Sequence, residues 1–356
     1  MYKAEYMQSQ REGYLDGMKG LACLFILLGH FTGIYKYAKN ASQIDSWFVR
    51  ILTEGPVSIF TAESFWLYLF FVISGYLLII STPPRKRRAF LVKCTKRILR
   101  LAIPIWGTAI FIFVIQNTIG FYNHSVQAIV QNTWLTHLYG SRLTVLDILK
   151  EPFFVLILGT SKFNSPFWCL RDMLISSFLI YGVGWICKSK KTETIAVCVL
   201  TVLAAITGRS IIMACLCGSC ARLLREKSEI QNKKNIMVLA GLLLPLVAFW
   251  VGNPVFTSTA FAGFLIAVPQ VERVKSIFEC KLVKRLGAVS FGIYALHWPI
   301  INSIGLRIIV MSTNKMRADM MMIASLLCCS LITLVLATIF KITVEKLTEG
   351  LCKRIH

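Results

Sequence analysis

Asp16, Lys19 and His30 are three ionisable residues close together in an otherwise apolar stretch near the start of the chain. On a helix, Lys19 and His30 are about 20° past three full turns apart, so they share one face and lie about 16 Å apart along the axis. Asp16, one turn before Lys19, is on that face too and can pair with it. The pattern sets a cation at one mouth of the helix and an imidazole well inside it. Histidine titrates near neutral pH and can take a proton from a hydroxyl. A packed His30 that bonds a neighbouring helix, with Lys19 snorkelling to the headgroups, accounts for the same residues without chemistry.

Five further groups stand out. Arg97 and Arg100, followed by Pro104, are spaced so that both face one way, which suits a phosphate-bearing ligand or a simple anchor at the membrane surface. Trp168, Arg171 and Asp172 open a later apolar run. Trp168 fits an interfacial belt. Arg171 and Asp172 diverge by about 100°, so they are expected not to pair with each other. His297 lies inside a long apolar run, and Pro299 breaks the local hydrogen-bond ladder, which suggests a cavity there. Ser74 and Gly75 end the run Phe70 to Gly75, where small residues favour close helix approach over a nucleophilic serine. The cluster Cys215, Cys217 and Cys220 sits on an apolar helix with no His or acid beside it, so packing is expected rather than metal.

The elements that carry these residues follow from the hydropathy. Apolar residues make up 56% of the 356 and charged residues 16%, with a mean hydropathy of +0.65. A soluble domain carries about 25% charged residues. The charges cluster between long apolar runs, the pattern of an all-α integral membrane protein. The runs give a bundle of about ten transmembrane helices, at about 17–36, 63–81, 101–120, 168–187, 194–207, 210–224, 236–251, 255–268, 287–311 and 319–340. The run 146–163 has an apolar centre too short to span, so it is expected to be re-entrant or to lie on the surface. Residues 1–356 read as one membrane domain without a cleavable leader.

The net charge of +22 does not point to nucleic acid, because the basic runs abut apolar segments and so read as topology signals facing anionic lipids. With the N-terminus inside, roughly three-quarters of the 39 Lys and Arg fall on the inner segments. Both termini are therefore expected to be cytoplasmic. The run from Arg85 to Arg88, with Lys93, Lys96, Arg97 and Arg100, is the strongest single marker.

Taken in order, the stretch Leu15 to Ala22 ending at Gly29-His30, the run Phe70 to Gly75, the Arg97/Arg100 pair, the Trp168 to Asp172 stretch and Ser290 to Pro299 resemble the integral membrane acyltransferase family 3. Members of that family O-acetylate bacterial cell-surface glycans. The resemblance spans about 16 to 300 and implies a membrane O-acyltransferase of the bacterial cytoplasmic membrane. It implies acetyl-CoA as a cytoplasmic donor rather than a permanently bound cofactor, and a glycan or lipid-linked sugar as acceptor. His30 would be the general base, assisted by Asp16. Lys19, Arg97 and Arg100 would hold the donor phosphates. Trp168, Arg171, Asp172 and His297 would contact substrate, and the outer segment 120–167 would shape the acceptor site. The family usually has Arg where this chain has Lys19; lysine keeps the charge but loses the bidentate fork. A transporter or flippase for a lipid-linked sugar is the competing expectation, since polar helix residues and a broken helix suit it as well.

Overall fold

The computed structural model describes residues 12–35, 45–80, 86–130, 135, 138–225 and 235–355. Of these, 87% are helical and none lies in a strand. Arg85, part of the basic run, lies outside the described residues.

The helices in chain order are α1 (Gly13–Tyr35), α2 (Trp47–Thr53), α3 (Glu63–Ile80), α4 (Arg87–Thr118), α5 (Asn123–Val130), α6 (Val145–Phe153), α7 (Leu170–Ile186), α8 (Lys190–Ile206) and α9 (Ser210–Arg225). They continue with α10 (Asn235–Val251), α11 (Pro254–Ala267), α12 (Glu272–Glu279), α13 (Lys281–Ala288), α14 (Ser290–Ile300), α15 (Leu306–Ser312), α16 (Ala318–Phe340) and α17 (Lys346–Arg354). Single π turns at Ile301–Gly305 and Lys341–Glu345 join α14 to α15 and α16 to α17.

Five helical stretches are long and apolar enough to cross a membrane: Gly13–Tyr35, Arg87–Thr118, Ser165–Ile186, Ser290–Ser312 and Ala318–Arg354. A sixth crossing is available if Pro254–Gln270 and Glu272–Glu279, bent by 101°, count as one. Among the described residues the remaining apolar helices are shorter than a full crossing. The last long helix continues well past the apolar run that ends near Phe340, through a π turn into the polar α17. The run at 146–163 forms α6 and a π turn, Phe154–Leu158, with Val145, Leu149 and Phe153 exposed along it. Thr144 starts α6 through a reciprocal capping box with Asp147.

Two helix crossings close without room for a side chain. A Cβ on Gly75 would stand 1.7 Å from the Cys215 carbonyl oxygen, and one on Gly218 1.9 Å from that of Val72, so α3 and α9 touch backbone to backbone. A Cβ on Gly20 would stand 2.4 Å from the Gly287 nitrogen, which fixes α1 against α13. Gly75 therefore belongs to a crossing, as its small size suggests. Cys215 and Cys217 are buried in the same region, and Cys220 lies 3.7 Å from Cys198 of α8. Among the described residues no three His, Cys, Asp or Glu side chains converge as metal ligands.

The helix α3 runs antiparallel to α1. Its start, at Glu63, lies beside Gly29, and its end, at Tyr76, lies beside Glu12. Glu12 binds Arg222 at 2.7 Å and Arg225 at 2.8 Å, tying the start of α1 to the end of α9. Tyr14 and Tyr76 complete this network at what we call the N-terminal face of the bundle.

Candidate functional site

His30 is near the end of α1 away from the N-terminal face. Its neighbour Gly29 lets another strand of chain lie flush on the helix: a Cβ there would stand 2.5 Å from the Thr61 carbonyl oxygen and 2.8 Å from Glu63 Oε2. Glu63 is thereby brought beside His30, on which its charge acts. The His30 Nδ1 lies 3.0 Å from the Ile26 carbonyl oxygen and 3.2 Å from His297 Nε2. His297 Nδ1 in turn lies 3.0 Å from the Ile293 carbonyl oxygen. A carbonyl only accepts, so both Nδ1 atoms carry the proton and His297 Nε2 is an acceptor. The His30 Nδ1–H is shared between two acceptors, and its Nε2 is left with a bare lone pair.

That histidine lines a cavity of about 480 Å³. Thr32, Ser58, Thr61 and Ser64 supply hydroxyls, Glu63 a carboxylate, and Phe249 and Trp298 apolar walls. The Ser58 and Thr61 hydroxyls each donate to a backbone carbonyl, at 2.6 Å, and Thr32 does so at 2.9 Å. Their lone pairs remain for a ligand. The cavity thus offers acceptors, one basic nitrogen and aromatic surface, which is complementary to a molecule rich in hydroxyl groups.

The expected site residues do not all meet here. Asp16 pairs with Lys19 at 2.7 Å, as their spacing indicates, but both lie at the N-terminal face, with Lys19 about 16 Å from His30 along α1. Asp16 therefore touches Lys19 rather than the histidine. Arg97 and Arg100 do not face one way. The Arg97 Nε donates to Ser177 Oγ of α7 at 2.8 Å, and its Nη2 is buried without a partner. Arg100 instead lines a second cavity, of about 580 Å³, with Lys96 and residues of α17. The split arises because α4 is flanked at this level by α7 on one side and α17 on the other, so a 60° difference in direction sends the two side chains to different neighbours.

His297 is fully buried and lines neither cavity. Its contact is His30 itself, with ring centroids 5.0 Å apart. Pro299 precedes the π turn at Ile301–Gly305, so the backbone does depart from an α-helix there, but the open space lies at His30 and Trp298.

Trp168, Arg171 and Asp172 also stand apart from the His30 cavity. Trp168 is 52% exposed. Contrary to the divergence expected on a helix, Arg171 Nε bonds Asp172 Oδ1 at 3.2 Å. The guanidinium is long enough to reach back around the first turn of α7, and its Nη1 also donates to the Leu158 carbonyl at 3.0 Å. The pair fastens the end of the π turn to α7. The same stretch is held to α14 by Asn164, which donates to the Ala295 carbonyl at 2.8 Å, and by Tyr294, which donates to the Pro166 carbonyl. Among the described residues, the walls of the His30 cavity outside α1 come from residues 53–64, Phe249 and Trp298, and none of the described residues of 120–167 lines it.

Of the helices that carry the sequence motifs, α1 packs on α3 and α14, and α14 also packs on α4, while their motif side chains go to different places. A family model described as an acyltransferase domain matches residues 12–342. The chain belongs to acyltransferase family 3. No curated protein and no solved structure matches it. The matched span takes in both cavities, apart from Glu345 and the α17 wall of the second. For this membrane acyltransferase, Glu63 and the hydroxyls at 58–64 are the site residues that the sequence motifs pass over. Their signal is a cluster of Ser58, Thr61 and Ser64 around an acid at the head of an apolar run.

Proposed function

We propose that this acyltransferase moves an acetyl group from cytoplasmic acetyl-CoA to a hydroxyl of a cell-surface glycan or lipid-linked sugar, with His30 as general base. In this reading the chain crosses the bacterial cytoplasmic membrane ten times, with both termini cytoplasmic and the His30 cavity on the outer side. The observation that carries it is the bare Nε2 of a histidine whose other ring nitrogen is fixed by two acceptors, in a cavity of hydroxyls, a carboxylate and aromatic surface.

The chemistry follows from that arrangement. The acceptor hydroxyl gives its proton to His30 Nε2 as its oxygen attacks the thioester carbonyl carbon. The carbon–sulfur bond breaks, and the leaving thiolate takes the proton back from the imidazolium. Glu63 stabilises the transient positive charge on His30. His297 keeps the ring in the tautomer that has a free Nε2. Lys19, Arg97 and Arg100 are the cations on the donor side, with Asp16 holding Lys19. Trp168, Arg171 and Asp172 are then contacts outside the reacting centre. Purified protein given labelled acetyl-CoA and candidate glycan acceptors tests the reading: label appears on the acceptor and depends on His30. Transport of an unmodified lipid-linked sugar with no transfer of label would replace it.

A further inference from the structure

The second cavity, at the N-terminal face, is built by an element the family motifs do not include. It is formed between Lys96, Arg100 and Pro104 of α4, Phe291 of α14, and the turn from Glu345 into α17. Cys352 holds α17 against α4 through the Lys96 carbonyl, at 3.7 Å. Three cations, Lys96, Arg100 and Lys353, border the cavity from two separate helices. Among the described residues none of the three forms an ion pair. Glu345 and Glu349 also line it, and the Glu345 Oε1 is buried with no hydrogen-bond partner. Unpaired cations converging from two elements are what a polyanion requires. A buried, unsatisfied carboxylate oxygen needs a donor, such as an exocyclic amine.

We propose that this cavity binds the phosphorylated purine nucleotide end of the acyl donor. Lys96, Arg100 and Lys353 contact the phosphates, and Glu345 accepts from the purine amino group. The proposal rests on the acyl-CoA reading and deepens it. Placement supports it independently of charge. Phe291, which lines the cavity, precedes His297 by six residues on α14, about 9 Å of rise. A nucleotide seated here leaves its thioester arm pointing along α14 toward the His30–His297 pair. The C-terminal helix α17, beyond the apolar part of the chain, thereby becomes part of the donor site. Arg97, whose Nε is held by Ser177, lies outside the nucleotide cavity.

The same phosphate chemistry could come from an anionic lipid headgroup, and the experiment separates the two. Calorimetric titration of the detergent-purified full chain would use CoA, 3′-dephospho-CoA and adenine-free acetyl-pantetheine. Lys353→Gln and Lys96→Gln are each expected to raise the Kd for CoA about tenfold, which is ~1.4 kcal/mol, and to leave the Kd for acetyl-pantetheine unchanged. Glu345→Gln is expected to weaken CoA but not acetyl-pantetheine. Lys353 is exposed, so its glutamine variant keeps the fold, and an unchanged melting temperature checks this. Wild-type binding of CoA with unchanged affinity in all three variants would overturn the proposal and leave the acyl-transfer reading standing. Failure of the wild type to bind CoA would overturn both. Loss of retained phosphatidylglycerol in Lys353→Gln, with CoA affinity unchanged, would assign the cavity to lipid and also overturn the proposal.

Discussion

Replacing His297 separates a positioning role from substrate binding. His297 is fully buried, lines neither cavity, and offers its Nε2 to the His30 Nδ1–H at 3.2 Å. His297→Leu removes that acceptor while filling most of the space. The Ile26 carbonyl remains at 3.0 Å, so His30 keeps one of its two partners and its tautomer. A neutral hydrogen bond is worth about 0.5–1.5 kcal/mol net. By transition-state arithmetic that is a fall in kcat of about two- to tenfold. The acceptor KM should not change, since the side chain does not reach the cavity. His297→Gln, whose amide oxygen can accept from His30, should recover part of the loss. The assay is steady-state transfer of labelled acetyl groups at varied acceptor concentration, with melting temperature measured alongside. A rise in acceptor KM at constant kcat would refute the reasoning and return His297 to the substrate contacts that sequence alone assigns it.

Three other predictions test other parts of the bundle. Glu63→Gln should lower kcat about tenfold, the equivalent of ~1.4 kcal/mol, in the same transfer assay, because it removes a carboxylate whose charge acts on His30. Gly75→Leu should destabilise the α3–α9 crossing by at least the 1–3 kcal/mol typical of overpacking, read as a lower melting temperature in detergent, because its Cβ would meet the Cys215 carbonyl at 1.7 Å. Burial pushes the Glu12 carboxyl up, but a hydrogen bond from Tyr14 and the charges of Arg225 and Arg222 outweigh it and hold the group below its ordinary 4.5. Its contribution is therefore present above about pH 4.5 and is lost as pH falls through the lower folded value. Melting curves from pH 7 to pH 3 should show that acid loss in the wild type, and Glu12→Gln should be less stable at pH 7 and lack the loss.

The sequence discloses the face of α1 because a single helix fixes it: residues 16, 19 and 30 need only the 3.6-residue period to align, and the Asp16–Lys19 pair at 2.7 Å follows. Relations between distant segments are not encoded that way. His297 meets His30 across 267 positions, through the packing of α14 on α1, and no spacing rule reports that. Arg97 and Arg100 part company because of α7 and α17, and α17 is hidden by its polar composition, which ends the apolar run near Phe340 although the helix continues to Arg354. Arg171 reaches Asp172 because a flexible guanidinium overrides the angular separation of two Cα positions. The cavity walls at 53–64 fall in a short helix, a 3₁₀ turn and the first residues of α3, between membrane runs, where periodicity carries little signal.

The central claim is that His30 Nε2 takes the acceptor proton, and His30→Gln tests it most directly. Glutamine fills the same space and can keep a hydrogen bond to the Ile26 carbonyl or to His297, but cannot accept the proton. The account predicts that acetyl transfer by the purified variant falls by about 10²–10⁴-fold, with melting temperature and CoA affinity close to those of the wild type. Near-normal transfer by a folded His30→Gln protein would contradict it.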